Sequence, residues 1–179
     1  MMRLFRLLAA VALLSLVLVA MVGLKQFTLA TGATVVLETV PIDPRSLFRG
    51  DFVRLNYTIS DLPLADIAGD SDFAKGDTVF VRLRRGPLYG QPISLHKEYP
   101  PVLEDHVVIK GRITRNPRSR VRIRYGIESF FIPEGEGLAL ERPPPGSKVT
   151  VLVAIDRYGK SAIKAVLVDG EPRYSETLF

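Results

Sequence analysis

The hydrophobic pattern divides the chain into one unbroken apolar stretch and a long remainder in which apolar and polar positions alternate. From Leu7 to Leu24 the chain has 18 residues without a charge, close to the roughly 20 that a helix needs to cross about 30 Å of hydrocarbon. A buried core helix would carry a polar stripe, which this segment lacks. A cleaved signal peptide normally ends at a small-x-small site, and Ala20–Gly23 matches such a site poorly. The pattern therefore predicts a retained transmembrane anchor within residues 1–25.

The charges that flank the apolar stretch predict its orientation. Arg3 and Arg6 precede the stretch, and only Lys25 follows it. Cytoplasmic flanks of membrane helices carry an excess of Lys and Arg, so the N-terminus is predicted to lie in the cytoplasm. The chain is then a single-pass protein that contacts the lipid bilayer through Leu7 to Leu24, and residues 26–179 form an outward-facing domain.

The outward domain is predicted to consist of strands. Beyond residue 26, apolar residues recur at alternate positions between clusters of Gly, Pro, Asn and Asp, which is typical of half-buried strands. About nine strands in about 150 residues predict an all-β fold, a compact β-barrel or sandwich, preceded by one transmembrane helix. The predicted strands are Thr34–Val40, Phe52–Ile59, a run after Gly76-Asp77 that contains Val79, Val81 and Leu83, Ile93–Glu98, His106–Ile113, Arg118–Tyr125, Ile127–Ile132, Lys148–Ile155 and Ser161–Val168.

The charge balance and the absence of cysteine exclude several classes of function. The whole chain carries 24 basic and 19 acidic residues, a net +5, but residues 26–179 hold 21 and 19, a net +2. The basic excess therefore sits mostly at the N-terminal end and does not indicate a nucleic-acid partner. With no cysteine, the chain has no disulfide framework, thiolate metal site or thiol nucleophile.

Candidate chemistry is sparse. The two histidines, His96 and His106, lack another His or a carboxylate at a metal-ligand spacing, so we expect no metal site and no cofactor. Glutamates in a Gly-rich stretch could support paired-acid hydrolysis if they were buried about 5 to 10 Å apart. They could equally be solvated loop residues, and sequence spacing does not decide between the two; they are Glu134, Glu136 and Glu141.

A run of basic residues predicts a charged sheet face. No acid interrupts the segment Lys110–Arg124. Alternation places four arginines on one strand face, opposite Val121, Ile123 and Tyr125. Such a face could meet anionic lipid head groups or polymers, where each basic residue contributes about 1 kcal/mol. Alternatively, it is a solvated face that pairs with acids on neighbouring strands. The four arginines are Arg118, Arg120, Arg122 and Arg124.

An octapeptide carries a family resemblance. Residues Gly50–Tyr57 read GDFVRLNY, which resembles the signature of the bacterial GDYXXLXY proteins, with Phe52 where the pattern has Tyr. The flanking segment Pro41–Arg49 and the segment Tyr125–Gly135 are also similar to that family. The resemblance implies a bacterial inner-membrane protein with a periplasmic or extracytoplasmic domain and no established activity. Because such proteins tend to accompany polytopic membrane proteins, it also implies a partner of that kind.

The signature has a structural and a functional interpretation. Gly50 allows an unusual backbone conformation, Asp51 can accept hydrogen bonds from amides of the same turn, and Leu55 and Tyr57 fall on the predicted buried face. Charged residues around the turn could instead form a partner contact, although opposite charges on one loop commonly pair with each other. The candidate contact residues are Asp43, Arg45, Arg49 and Asp51.

A weaker resemblance supplies an enzyme hypothesis. An anchored outward β-domain with a Gly-Asp turn before an apolar strand is similar to type I signal peptidases, which pair a serine with a lysine. This resemblance implies Ser46 and Lys110 as the candidate pair. The position where that family has its nucleophile is occupied here by Ile42, and neighbouring arginines oppose a neutral lysine.

The prediction that best fits these features is a membrane-anchored envelope protein. Its outward β-domain would act as a non-catalytic binding or accessory module for a membrane complex. The alternatives are a divergent Ser/Lys hydrolase and a module that binds anionic lipid or polymer through its basic sheet face.

Overall fold

One N-terminal helix and a series of short strands make up the described residues, which are 2–40, 52–131 and 147–175 of this computed structural model. The helix α1 spans Met2–Thr31. The strands are β1 Ala33–Val40, β2 Phe52–Arg54, β3 Asn56–Tyr57, β4 Asp61–Pro63, β5 Ala68–Gly69, β6 Thr78–Arg85, β7 Gly90–His96, β8 His106–Ile113, β9 Arg120–Arg124, β10 Ser129–Phe131, β11 Val149–Ile155, β12 Ser161–Val168 and β13 Glu171–Ser175.

Two larger sheets pack face to face. One has the strand order β13-β12-β11-β1-β3, the other has the order β4-β9-β8-β6-β7-β5, and β10 pairs with β2 as a separate ribbon. Neighbouring strands are antiparallel except β5 and β7, which run parallel. Side chains from both sheets belong to one hydrophobic core. The structure therefore confirms an all-β fold after a single helix, with the layered arrangement of a sandwich.

The core is built by the alternation that the sequence shows. Leu37 and Val151 point inward from the first sheet, while Val81, Leu83 and Ile109 point inward from the second, and all five are fully buried. Burying each such side chain contributes about 1.5 to 3 kcal/mol. The two-residue period is therefore what commits one face of each sheet to the core.

Helix α1 ends inside the β-domain. It continues six residues past the predicted anchor boundary at residue 25 and ends at Thr31. Leu29 is only 3% exposed and forms a small buried cluster with Ala154 of β11 and Ala162 of β12. Only Gly32 separates α1 from β1, and a side chain at that position would come within 3.0 Å of the Ile155 amide nitrogen. The helix is thus seated on the sheet without a linker.

Helix α1 is long and apolar enough to cross a membrane. The candidate span is Leu4–Thr31, with a mean hydropathy of 2.8 in its most apolar window, and none of that window is buried against the protein. The prediction of one N-terminal apolar helix is confirmed.

The predicted strand Phe52–Ile59 is divided in the structure. β2 pairs with β10, whereas β3 pairs with β1, and residues 58–60 form a 3₁₀ turn. The alternation itself is correct, because Leu55, Tyr57 and Ile59 are all buried. Leu55 still follows the β2–β10 register, because its amide donates to the Glu128 carbonyl oxygen at 2.8 Å, and from Asn56 onward the chain pairs with β1 instead. A change of hydrogen-bond partner leaves no trace in the hydrophobic pattern.

Other strand predictions differ mainly at their ends. The predicted bounds of His106–Ile113 and Ser161–Val168 match β8 and β12. The predicted strands Ile93–Glu98 and Ile127–Ile132 correspond to β7 and β10, whose bounds differ. Thirteen strand segments occur in the described ranges instead of nine. One predicted strand is divided into β2 and β3, and β4, β5 and β13 were not predicted because they are short or solvated and lack a clear alternation.

The loop between β11 and β12 joins the two sheets. Asp156 Oδ1 accepts hydrogen bonds from the amides of Tyr158 and Lys160 at 2.9 and 2.8 Å. The Lys110 amide of β8 donates to the Gly159 carbonyl oxygen at 2.8 Å. Gly159 has φ +83°, and a β-carbon there would lie 3.1 Å from backbone atoms of β8. Glycine therefore serves both the turn and the close approach.

Substitution of two turn glycines separates these requirements. Gly170, in the Asp169-Gly170 hairpin turn, has φ +87° and open space around it. We expect Gly170→Ala to lower the unfolding free energy by about 1 kcal/mol through backbone strain. Gly159→Ala should lose about 1 kcal/mol more because its new methyl group crowds β8. Thermal unfolding of the full-length protein in detergent micelles measures both, and equal losses would show that the loop does not pack on β8.

Candidate functional site

Two residues of the octapeptide, Leu55 and Tyr57, lie in the core, and both are hydrogen bonded to residues of the segment 125–130. Gly50 and Asp51 lie outside the described residues, and Phe52 lies in β2 with its backbone opposite Phe131 of β10. Leu55 and Tyr57 are 5% and 2% exposed. The strands of the octapeptide therefore contact β10 and the turn before it, and β2 pairs with β10 directly.

Two tyrosines tie these segments together reciprocally. The Tyr57 hydroxyl donates to the Ile127 carbonyl oxygen at 2.7 Å, and the Tyr125 hydroxyl donates to the Ile59 carbonyl oxygen at 2.7 Å. Burial raises the pKa of both tyrosines, and the negative Glu128 carboxylate raises the pKa of each further. Both side chains therefore remain neutral donors, which these two hydrogen bonds require.

The Glu128 carboxylate fixes the turn that lies between the two tyrosine bonds. Its oxygens accept hydrogen bonds from the amides of Tyr125 and Gly126. Gly126 has φ +85°, a conformation that glycine adopts without strain. The turn is thus held from three directions, by one carboxylate and two phenol groups.

A cavity of about 600 Å³ opens where α1 meets the β-domain, and we call it the junction cavity. Part of its lining is apolar, and within this part the rings of Phe130 and Tyr174 pack edge to face at 4.6 Å. Other lining residues carry amine and hydroxyl groups. The lining residues are Met21, Lys25, Thr28, Gly126, Ile127, Ser129, Phe130, Lys160, Ser161, Ala162, Ile163 and Tyr174.

Sequence reasoning did not find the junction cavity. Its walls come from four segments that no local spacing unites: α1, the turn before β10 together with β10, the start of β12, and β13. Lys25 at the end of the apolar stretch was the one visible signal. The octapeptide bears on this cavity indirectly, because β2 pairs with β10 and Tyr57 holds Ile127.

The predicted basic face is present and partly neutralised. Arg120, Arg122 and Arg124 of β9 are exposed and alternate with buried residues, and Arg118 is exposed just before the strand. Asp61 of β4 pairs with Arg120 at 3.0 Å and with Arg122 at 3.5 Å. Exposed pairs of this kind contribute about 0 to 1 kcal/mol. Two of the four arginines thus have an acidic neighbour on the adjacent strand.

One like-charge pair lies on the same face. Arg124 stands directly opposite Arg112 of β8 in the antiparallel register. Like charges at such positions destabilise a sheet. This end of the face is therefore where an anion would be most favourable.

Of the candidate Ser/Lys pair, the structure describes only Lys110. Lys110 is exposed on β8, with its ammonium nitrogen 5.9 Å from the centroid of the Phe80 ring. A lysine that acts as a base must be desolvated to lose its proton. Ser46, the other member of the pair, lies outside the described residues. So do the candidate contact residues Asp43, Arg45 and Arg49 and the candidate paired acids Glu134, Glu136 and Glu141.

A serine and a histidine that the sequence analysis did not pair are hydrogen bonded on β7. Ser94 Oγ lies 2.8 Å from His96 Nε2. The pKa of His96 is lowered by partial burial and by Arg82, against an opposing effect of Asp70. Ser94 is only 5% exposed, which denies its hydroxyl the access that a nucleophile needs. Within the described ranges, no three residues from His, Cys, Asp and Glu come together in a metal-binding group.

Removal of the tyrosine hydroxyls tests the reciprocal tie. Tyr57→Phe or Tyr125→Phe should each lower the unfolding free energy by about 1 to 2 kcal/mol, because each leaves a buried carbonyl oxygen without its donor. Tyr158 is 63% exposed, so Tyr158→Phe is the matched control and should cost less than about 0.5 kcal/mol. Thermal unfolding in micelles measures the effect, and a neutral Tyr57→Phe would contradict the assignment.

The lowered pKa of His96 predicts a pH dependence of stability. His96 binds a proton more readily in the unfolded state than in the folded state. Protonation therefore stabilises the unfolded state relative to the folded state as the pH falls through the ordinary pKa of 6.5. The wild type should therefore lose stability from about pH 8 to about pH 5, and His96→Gln should lose less over this range. Unfolding midpoints across the pH series measure this difference, with His106→Gln as the control for loss of a histidine. Parallel curves for wild type and His96→Gln would contradict the prediction.

Comparison with known proteins identifies a family and nothing closer. No curated protein and no solved structure matches the chain. The family model described as GDYXXLXY protein matches residues 14–166. The match begins within α1 and ends within β12, so it covers the C-terminal part of the helix, the octapeptide and most of the β-domain. The chain therefore belongs to the GDYXXLXY family.

Proposed function

We propose that the protein is a single-pass, membrane-anchored binding module that serves as a non-catalytic accessory of a membrane complex. The observation that carries this proposal is the seating of α1 on the β-domain. Leu29 is buried against Ala154 and Ala162, and only Gly32 lies between the helix and β1. The β-domain is thereby held beside the end of the apolar helix.

The short connection limits the range of partners. A flexible linker of n residues gives a root-mean-square reach of about 5 to 6 Å times the square root of n, and here the connection is one glycine. A domain held in this way meets groups in or on the same membrane at a high effective concentration. It gains no such advantage for partners at a distance. This favours a neighbouring membrane protein as the partner.

The packing of α1 also supports a retained anchor. A cleaved leader has no packing role in a mature domain, whereas the last turn of α1 contributes the buried residues Thr28 and Leu29. The positive-inside rule favours a cytoplasmic N-terminus, since Arg3 and Arg6 precede the apolar stretch. The proposed location is therefore the bacterial inner membrane, with the β-domain on the outer side.

A second candidate function is the binding of an anionic lipid or polymer by the basic face. The opposed pair Arg112 and Arg124 favours it, because a bound anion would relieve their mutual repulsion. The Ser/Lys hydrolase alternative has less support, since Lys110 is exposed on the strand face.

Crosslinking in native membranes, followed by mass spectrometry, tests the accessory function. We expect the wild type to capture a polytopic membrane protein. A flexible Gly/Ser linker inserted between Gly32 and Ala33 should reduce the yield several-fold, because it removes the effective-concentration advantage. The same linker inserted in the exposed Asp169-Gly170 turn is the matched control and should retain the capture.

The same experiment separates the two candidate functions. Capture of lipid alone by the wild type would overturn the accessory function. An unchanged yield after insertion at Gly32 would show that the seating of α1 is irrelevant to the partner. Charge reversal at Arg112 and Arg124 that abolishes protein capture would place the contact on the basic face.

A further inference from the structure

We propose that the junction cavity binds the headgroup of an anionic phospholipid from the leaflet that the β-domain faces. The phosphate would lie near Lys25 and Lys160, and an acyl chain would leave past Met21. This inference goes beyond the proposed function, because it needs the helix in the membrane but no protein partner.

The depth of the cavity matches the headgroup layer of a bilayer. Met21 belongs to the apolar stretch, Lys25 follows that stretch directly, and Thr28 lies one turn further. At 1.5 Å per residue, the cavity extends about 10 Å along the helix from Met21 to Thr28. The headgroup layer is about 5 to 8 Å thick on each side of the hydrocarbon. An occupant of the cavity would therefore be wetted at one end and in contact with hydrocarbon at the other.

The polar lining of the cavity suits a phosphate. Lys160 supplies an ammonium donor, Ser129 presents an exposed hydroxyl, and Lys25 adds a second positive charge to the lining. Charge-assisted hydrogen bonds from ammonium to phosphate are about twice as strong as neutral ones. The backbone of Lys160 is fixed in the loop, because its amide donates to Asp156 Oδ1 at 2.8 Å.

Two further hydroxyls distinguish among headgroups. Thr28 Oγ1 donates to the Leu24 carbonyl oxygen at 3.1 Å, and Ser161 Oγ donates to the Tyr125 carbonyl oxygen at 3.3 Å. Their protons are engaged, so toward a ligand these oxygens act as acceptors. A glycerol headgroup has hydroxyl donors for them, whereas a choline headgroup has none and brings a cation toward two lysines. The cavity should therefore prefer phosphatidylglycerol to phosphatidylcholine.

The apolar lining suits the apolar part of a lipid. Ile127, Phe130 and Ile163 line the cavity together with Met21 of α1 and with Tyr174, whose ring packs on that of Phe130. The volume of about 600 Å³ falls within the usual range for small-molecule sites. A free anion would leave these apolar residues uncovered, whereas a lipid covers them. A phospholipid is therefore the occupant that suits both the polar and the apolar lining residues.

The test uses the full-length protein in nanodiscs that contain phosphatidylglycerol and phosphatidylcholine. Native mass spectrometry after gentle release measures which lipid stays bound. We expect the wild type to retain phosphatidylglycerol in preference to phosphatidylcholine. Lys160→Gln should reduce this preference about fivefold, the factor that one basic residue contributes at an anionic lipid surface. Lys75→Gln, at an exposed turn outside the cavity, is the matched control and should keep the wild-type preference.

A pair of substitutions at one position provides an independent test. Ser129 is exposed, so either charge at this site is compatible with folding, and thermal unfolding checks this. Ser129→Glu should weaken retention of phosphatidylglycerol, and Ser129→Lys should preserve or strengthen it. Equal retention by these two variants would overturn the proposal, as would equal losses from Lys160→Gln and Lys75→Gln. Full displacement of the lipid by soluble glycerol phosphate would show a headgroup site that does not need the acyl chain, which also contradicts the proposed occupant.

Discussion

Burial of Leu29 against Ala154 and Ala162 is the contact on which the arrangement of the whole molecule depends. The two alanines are small enough to let the helix approach β11 and β12, and Gly32 lets the chain turn directly into β1. A larger residue at any of these three positions would push the helix away from the sheet. Without this contact the junction cavity would lose the residues that α1 contributes to it. The orientation of the β-domain relative to the helix would then no longer be fixed.

The octapeptide contributes to the junction cavity through its contacts with β10 and with the turn before it. Its residues are not gathered around a reactive group in the described part of the chain. Tyr57 holds Ile127, while Tyr125 holds Ile59, so each segment supplies the donor for the other. The pairing of β2 with β10 then carries Ser129 and Phe130 to the cavity. A short signature can thus matter for a surface to which its own buried side chains, Leu55 and Tyr57, do not belong.

The hydrophobic pattern predicts the features whose cause is local. The second half of β8 alternates between buried and exposed residues, as a strand with one face on the core does, whereas β12 is an apolar run buried at adjacent positions; both have the predicted bounds. The basic face follows from the same alternation, but its acidic partner Asp61 is 59 residues from Arg120 and shows no link in sequence. β5 has only two residues, and pairing with β7 defines it. The extension of α1 to Thr31 depends on packing against β11 and β12, which lie more than 100 residues further along the chain. The junction cavity, built from four segments, was hidden for the same reason.

Because α1 packs on the β-domain, the number of residues in the helix determines how the domain is rotated about the helix axis. A residue in an α-helix advances the chain by 1.5 Å and turns it by about 100°. Because the last turn is fixed to β11 and β12, any residue gained or lost between the apolar stretch and Leu29 would rotate the β-domain by that angle about the helix axis. In the proposed membrane setting, the face turned toward a neighbouring protein would change even though the domain itself did not. In that setting the helix would determine the direction in which the β-domain faces as well as hold the domain at the membrane.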